Sequence, residues 1–192
     1  MRWKPHVRFG RRAAETDPAE AGHRAAARPH TKHRTAEGKL YLCAIKDLCS
    51  NRIVGYSISD RMKSRIAVAA LDSAVARRGI AGDGVAGCIV HTDRGSQFRS
   101  RKFLRALARH DMVGSMGQVG SAGDNAAMES FFSLLQKNVL NRQRWATREE
   151  LRIAIVTWIE RTYHRRRRQD ALGRLTPIEY ELIMTTPSLQ AA

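Results

Sequence analysis

Cys88-Ile89-Val90-His91-Thr92-Asp93-Arg94-Gly95-Ser96-Gln97-Phe98 joins an apolar run to a polar turn, with an acid at the junction. A short apolar run bounded by turn residues reads as a buried strand, here one that delivers Asp93 at its end. Gly123-Asp124-Asn125-Ala126-Ala127-Met128-Glu129-Ser130-Phe131-Phe132 answers it downstream. Asp124 or Asn125 caps a helix there, because a short oxygen-bearing side chain accepts the first free amide hydrogens, and Glu129 follows one turn in. Thirty-five residues separate the two acids. A strand-end carboxylate and a helix carboxylate that converge suit a magnesium-like cation, which takes oxygen ligands and keeps positions open for phosphate.

Outward from that pair the pattern is regular. Residues 40–45 are a continuous apolar run and 52–58 a second strand, so the two read as a hairpin. Asp47 stands at its turn, where its side chain caps the turn amides and does not serve as a replacement ligand. Residues 64–78 place Ile66, Ala67, Ala70, Leu71 and Val75 at helical spacing. Residues 100–109 form a helix with Phe103, Leu104 and Leu107 inward, and 112–115 a short edge strand. Residues 114–123 are a Gly- and Ser-rich loop. Thr147 with Glu150 three residues on is a capping box, followed by a buried stripe of Leu151, Ile155, Trp158 and Ile159. Strands alternating with helices predict an α/β domain with a mixed sheet.

The 192 residues carry a formal charge of +16, which points to a polyanionic partner, since Lys and Arg contacts to phosphate give affinity without sequence information. Cys43, Cys49 and Cys88 form no pairable set and no metal spacing, so buried free thiols are expected. No apolar run approaches the ~20 residues that span a bilayer, and the first residues lack the apolar stretch of a signal peptide. Residues 1–35 contain no Leu or Ile, and little apolar area with much like charge predicts a disordered basic arm. His6, His23, His30 and His33 have no cysteine pair at zinc-module spacing.

His91 through Phe98, the interval to Glu129, and Asp124 through Phe132 resemble the integrase-type core of bacterial insertion-sequence transposases. The likeness covers residues 36–184. It implies a ribonuclease H-like fold, a mixed sheet flanked by helices, with an acidic triad in the order Asp…Asp-x35-Glu. It implies DNA cleavage and strand transfer with two magnesium ions, or manganese in their place, and makes Asp93 and Glu129 the catalytic, metal-holding pair. Implied partners are double-stranded DNA, at the element ends and the target, and further copies of the chain when active. No membrane is involved, and the setting is the bacterial cytoplasm at the nucleoid. Residues in line to touch DNA are Arg94, Gln97, Asn125, Gln136 and Lys137, together with Tyr163, Arg165, Arg166, Arg167 and Arg168 of a closing motif that runs to Tyr180. Departures from the family pattern are Gln136 in place of Lys, His164 in place of Asn and Gln169 in place of His.

The largest departure is upstream. Counting back from Glu37-Gly38, the family's first Asp falls at Pro29, where no acid stands. The resemblance therefore implies that residues 1–35 are out-of-frame or truncated sequence, that the first strand is lost, and that the polypeptide is inactive or nearly so. The expected organisation is an arm over 1–35, a core with a basic helical tail over 36–184, and a disordered tail over 185–192. A second reading is a non-catalytic, DNA-binding remnant. A free-standing nuclease of the ribonuclease H type would leave residues 163–180 without a role.

Overall fold

In the computed structural model, which describes residues 24–80, 84–116 and 126–185, β1 (Arg24–Thr35), β2 (Gly38–Asp47) and β3 (Ile53–Ser59) make an antiparallel meander. β4 (Ile89–Thr92) and β5 (Val113–Met116) add to the other edge of β1 in parallel, giving the order β3-β2-β1-β4-β5. The sheet is mixed, as the alternation of elements predicts. α1 (Ser64–Ile80) and α2 (Arg101–Arg109) cover one face, packing around Ala25, Cys43, Ile45 and Val90. α3 (Ala126–Leu135) and α4 (Arg148–Thr157) cover the other, packing around Ala26, Leu42, Ala44 and Ile53. α3 and α4 each continue into a π-helical turn, 136–140 and 158–163, and α5 (Pro177–Thr185) closes the described chain. Among the described residues no helix is long and apolar enough to cross a membrane.

The first strand, expected to be lost, is present and central. β1 pairs with β2 from Ala25↔Asp47 to Thr35↔Gly38, and with β4 from Arg24↔Ile89 to Ala27↔Thr92. A ladder needs backbone donors and acceptors and does not ask for leucine, and β2 and β4 supply both on either side. Small residues suit this central place, and successive alanines serve opposite layers: Ala25 is buried under α1, Ala26 under α3. The register slips between Pro29 and Thr31, where proline offers no N–H and a bulge absorbs the gap. Residues 1–23 lie outside the described residues.

Local expectations otherwise hold with one exchange. Asp47 Oδ1 accepts the amides of Cys49 (2.8 Å) and Ser50 (3.3 Å), and Asn51 takes the left-handed conformation (φ 58°) that completes the hairpin turn. Ser100 and Thr147 cap α2 and α4, accepting from Phe103 and Glu150. On α2, Leu104 is 48% exposed and Ala106 is buried in its place, because Phe103, Ala106 and Leu107 make the narrower inward stripe. Gly55 lets β3 touch α1: a Cβ there would meet the Ala70 carbonyl at 2.2 Å.

Candidate functional site

Asp93 directly follows Thr92, the last residue of β4, which is paired with Ala27 on one side and Met116 on the other. It is half-buried, and its Oδ1 accepts the amide of Gly95 at 2.8 Å, a turn that fixes the carboxylate beside the strand end. Gly95 is required there, since a Cβ would lie 2.1 Å from Gln97 Nε2 and 2.8 Å from Asp93 Oδ1. Gln97 is itself buried, and its Nε2 has no hydrogen-bond partner. His91 faces its strand neighbour, Nδ1 to Ser115 Oγ at 3.3 Å, as a strand residue would. Asp93 also reaches across the sheet electrostatically: burial first, then this carboxylate, push the Cys43 thiol on β2 up to about 12.

Glu129 stands exposed in the first turn of α3. The helix is fixed by Met128, Phe131 and Leu135, buried against Ala26 of β1 and an aromatic cluster in which Phe131 meets Tyr163 and Trp158 at centroid distances of 5.2 and 6.0 Å. Ala26 is the backbone partner of His91, and paired residues share a face, so α3 lies on the side of the sheet to which His91 points. Lys46 on β2 ties the helix start down, its Nζ donating to the Ala127 carbonyl at 3.2 Å. The two acids thus come from the elements expected of them. The twelve residues of β1, the strand beside β4, include no Asp or Glu. Among the described residues no three His, Cys, Asp or Glu side chains gather as a metal site.

The basic stretch behaves residue by residue. Arg165, Arg166, Arg167 and Arg168 are all exposed. Tyr163, expected beside them at the DNA face, is 1% exposed and belongs to the core; its hydroxyl donates to the Asn51 carbonyl at 3.0 Å, and its ring packs on Phe131 and Trp158. His164 is buried, accepting the Ile53 amide at Nε2 (3.1 Å) and meeting Glu160 at Nδ1 (3.2 Å). Burial lowers its pKa, so the imidazole that caps β3 is neutral. Arg94 and Lys137 are exposed, and Gln136 opens the π turn after α3 and bonds Asn141. Asn125, the candidate caps and most of the loop before α3 lie outside the described residues.

Two features escaped the sequence reading. Lys46 is 5% exposed, although a lysine after an apolar run reads as a solvated strand end. Its signal was phase, since it shares the parity of Leu42 and Ala44, both buried under α3. The second is a buried ionic cluster beside the same turn, on the opposite face of the sheet. Arg78 Nη2 donates to Asp47 Oδ2 (2.6 Å) and Glu181 Oε1 (2.7 Å), Ser50 donates to the same Glu181 oxygen (2.8 Å), and Arg52 takes Glu181 Oε2. It locks α5 to the hairpin and to α1.

Two models of the integrase core domain match the chain, one over residues 29–122 and the other over 110–177. The Escherichia coli K12 transposase InsF for insertion sequence IS3A is 39% identical over 148 residues, covering 77% of this chain and 50% of that protein. A Lactococcus lactis transposase for insertion sequence element IS904 is 34% identical over 147 residues, covering 77% and 56%. The chain spans about half the length of these curated relatives. Similar solved structures include the BIV integrase catalytic core (TM-score 0.56, 14% identity, 82% of this chain and 93% of that one). The HTLV-2 integrase catalytic core in complex with magnesium is another (TM-score 0.53, 14% identity, 81% and 95%). Both are ribonuclease H-like integrase cores, and the fold is theirs.

Proposed function

The chain belongs to the integrase core family of insertion-sequence transposases, and on that premise we propose that it is the DNA-handling core of such a transposase, weakened or inactive in strand transfer. One observation carries the reading: Asp93 directly follows β4 while Glu129 stands in the first turn of α3, the helix laid over the strand next to β4. Its partner is double-stranded DNA at the element ends and target, bound by a homo-oligomer in the bacterial cytoplasm. The charge of +16 and the exposed arginines 165–168 supply the phosphate contacts. Arg94 and Lys137 are exposed and available to the same backbone, whereas buried Gln97 serves the turn that carries Asp93.

A divalent cation bound at such a site would activate the attacking oxygen and stabilise the leaving one. Asp93 and Glu129 would be the ligands of one such ion. They do not fit a pair, because β1 brings no acid to serve as the shared ligand. The expected outcome of a magnesium- or manganese-dependent strand-transfer assay with the element's ends is therefore little or no product. Robust turnover that disappears in Asp93→Ala would overturn the impairment and leave an active transposase. A non-catalytic DNA-binding role is the second reading, favoured by that same acid-free strand; binding that is steep in salt and indifferent to chelators supports it.

A further inference from the structure

α2 is a helix built against its own electrostatics. From Arg94 to His110 the chain holds Arg94, Arg99, Arg101, Lys102, Arg105 and Arg109, and no acid. All of these cations are exposed. Arg101 and Lys102 open the helix, where the backbone dipole disfavours positive charge, and no acidic residue stands in that first turn to offset them. Arg101, Arg105 and Arg109 recur at intervals of four, so like charges face one another a turn apart, which again destabilises a helix. Phe103, Ala106 and Leu107, buried against the sheet, hold α2 in place in spite of this. Among the described residues no carboxylate pairs with Arg99, Arg101, Lys102, Arg105 or Arg109.

The cations are also ordered in space. At a rise of ~1.5 Å per residue, Arg101, Arg105 and Arg109 line ~12 Å of one helix edge, with Lys102 beside them. One strand of a duplex presents a phosphate every ~3.4 Å of its axis, so a row of this length spans about three of them. The row is fixed relative to Asp93. The Gly95 carbonyl, in the turn that holds the carboxylate, accepts the amides of Phe98 (3.0 Å) and Arg99 (3.3 Å). Ser100 Oγ donates to the Gln97 carbonyl (2.7 Å) and accepts from the Phe103 amide (3.2 Å). Phe98 packs edge-on against Phe103 at a centroid distance of 5.1 Å. Acid, turn and helix are thus one hydrogen-bonded unit.

We infer that the outer edge of α2 is a phosphate track for duplex DNA, separate from arginines 165–168. α2 packs on the α1 side of the sheet, whereas Tyr163, which the arginine run follows, packs on the α3 side. A regularly spaced polyanion neutralises a row of cations that the described chain does not neutralise. A duplex held along α2 is thereby placed against Asp93, and the arginine run is left to hold a second stretch of DNA. The identity of the occupant rests on the DNA-binding reading above.

The test uses the full chain, the triple variant Arg101→Gln/Arg105→Gln/Arg109→Gln and a charge-matched control, Lys32→Gln/Arg34→Gln/Lys39→Gln, at exposed positions of the β1–β2 hairpin. Duplex affinity is followed by fluorescence anisotropy against salt, and poly-glutamate serves as an acidic-peptide probe. The slope of log affinity on log salt is expected to fall by about 2–3 in the α2 triple and by less than about 1 in the control. The thermal midpoint of the α2 triple should stay at or above the parent's, since like-charge contacts are removed. Equal falls in the two triples, or none in the α2 triple, overturn the track and leave the DNA-binding reading intact. A parent chain that does not bind duplex removes that reading and the occupant together. An α2 triple that loses poly-glutamate binding but keeps its duplex binding overturns the assignment in favour of an acidic protein partner. Should the triple fail to fold, Arg105→Gln alone decides, with an expected fall in slope of about 1.

Discussion

The two faces of the sheet at the β2–β3 turn carry charge in opposite ways. At the turn, Asp47, Arg78, Glu181 and Arg52 bond one another, and Arg78 and Asp47 are 3% and 1% exposed. Beside α3, Lys46 is almost as deeply placed and donates to the Ala127 carbonyl, and no carboxylate pairs with it among the described residues. Lys46 and Asp47 are consecutive, yet their side chains enter opposite faces of the sheet, because successive strand residues alternate. Charge that the fold satisfies is architecture.

The largest blow to that contrast comes from Arg78→Ala. It strands Asp47 and Glu181 without their shared partner, and unfolding in denaturant should show a loss of about 3–5 kcal/mol. A loss below about 1 kcal/mol would make the cluster no more than decoration. Lys46→Met should move the other way. Burial, and then Arg167, push the Lys46 ammonium down from 10.5 to about 8, so its folded-state pKa lies below the unfolded one. Between those values the unfolded chain holds a proton that the folded chain has shed, so stability rises with pH across that window and is lowest below it. The methionine variant should therefore be more stable near pH 7, by on the order of 3 kcal/mol, and should lose the rise between pH 8 and 10.5. A variant less stable at pH 7 would show that the ammonium is well accommodated.

Tyr163→Phe sharpens the comparison on the α3 side. It removes the hydroxyl donated to Asn51 while keeping the ring, so about 1 kcal/mol should go, with DNA affinity unchanged at constant folded fraction. A selective loss of DNA binding would return Tyr163 to the interface. The smallest effect belongs to Arg165→Gln, on an exposed arginine without an ion pair among the described residues. Stability should hold within about 0.5 kcal/mol. Duplex affinity should weaken evenly across sequences, and gel shifts on two unrelated duplexes would measure it.

Much of this molecule was readable from residues that act locally. The capping of α4 needs only Thr147 and Glu150, and the hairpin turn needs only Asp47 and its next few amides, so spacing revealed both. The strand before Asp93 and the helix under Glu129 were legible for the same reason. β1 was not, because what holds Arg24–Thr35 in place is the backbone of its neighbours, and alanine and arginine leave no apolar trace in the text. Tyr163 was misjudged from the arginines after it; the deciding fact, its ring packed on Phe131 of another helix, has no local spacing. The buried cluster joins Asp47 to Arg78 across 31 residues and Arg78 to Glu181 across 103, and no local pattern encodes such a meeting.

That separation has a consequence for synthesis. Arg78 leaves the ribosome long before Glu181 exists, so the ion pair between them forms only after α5 has been made. The last helix acts as a late fastener: until it arrives, the hairpin and α1 remain a draft that water and chaperones can still revise.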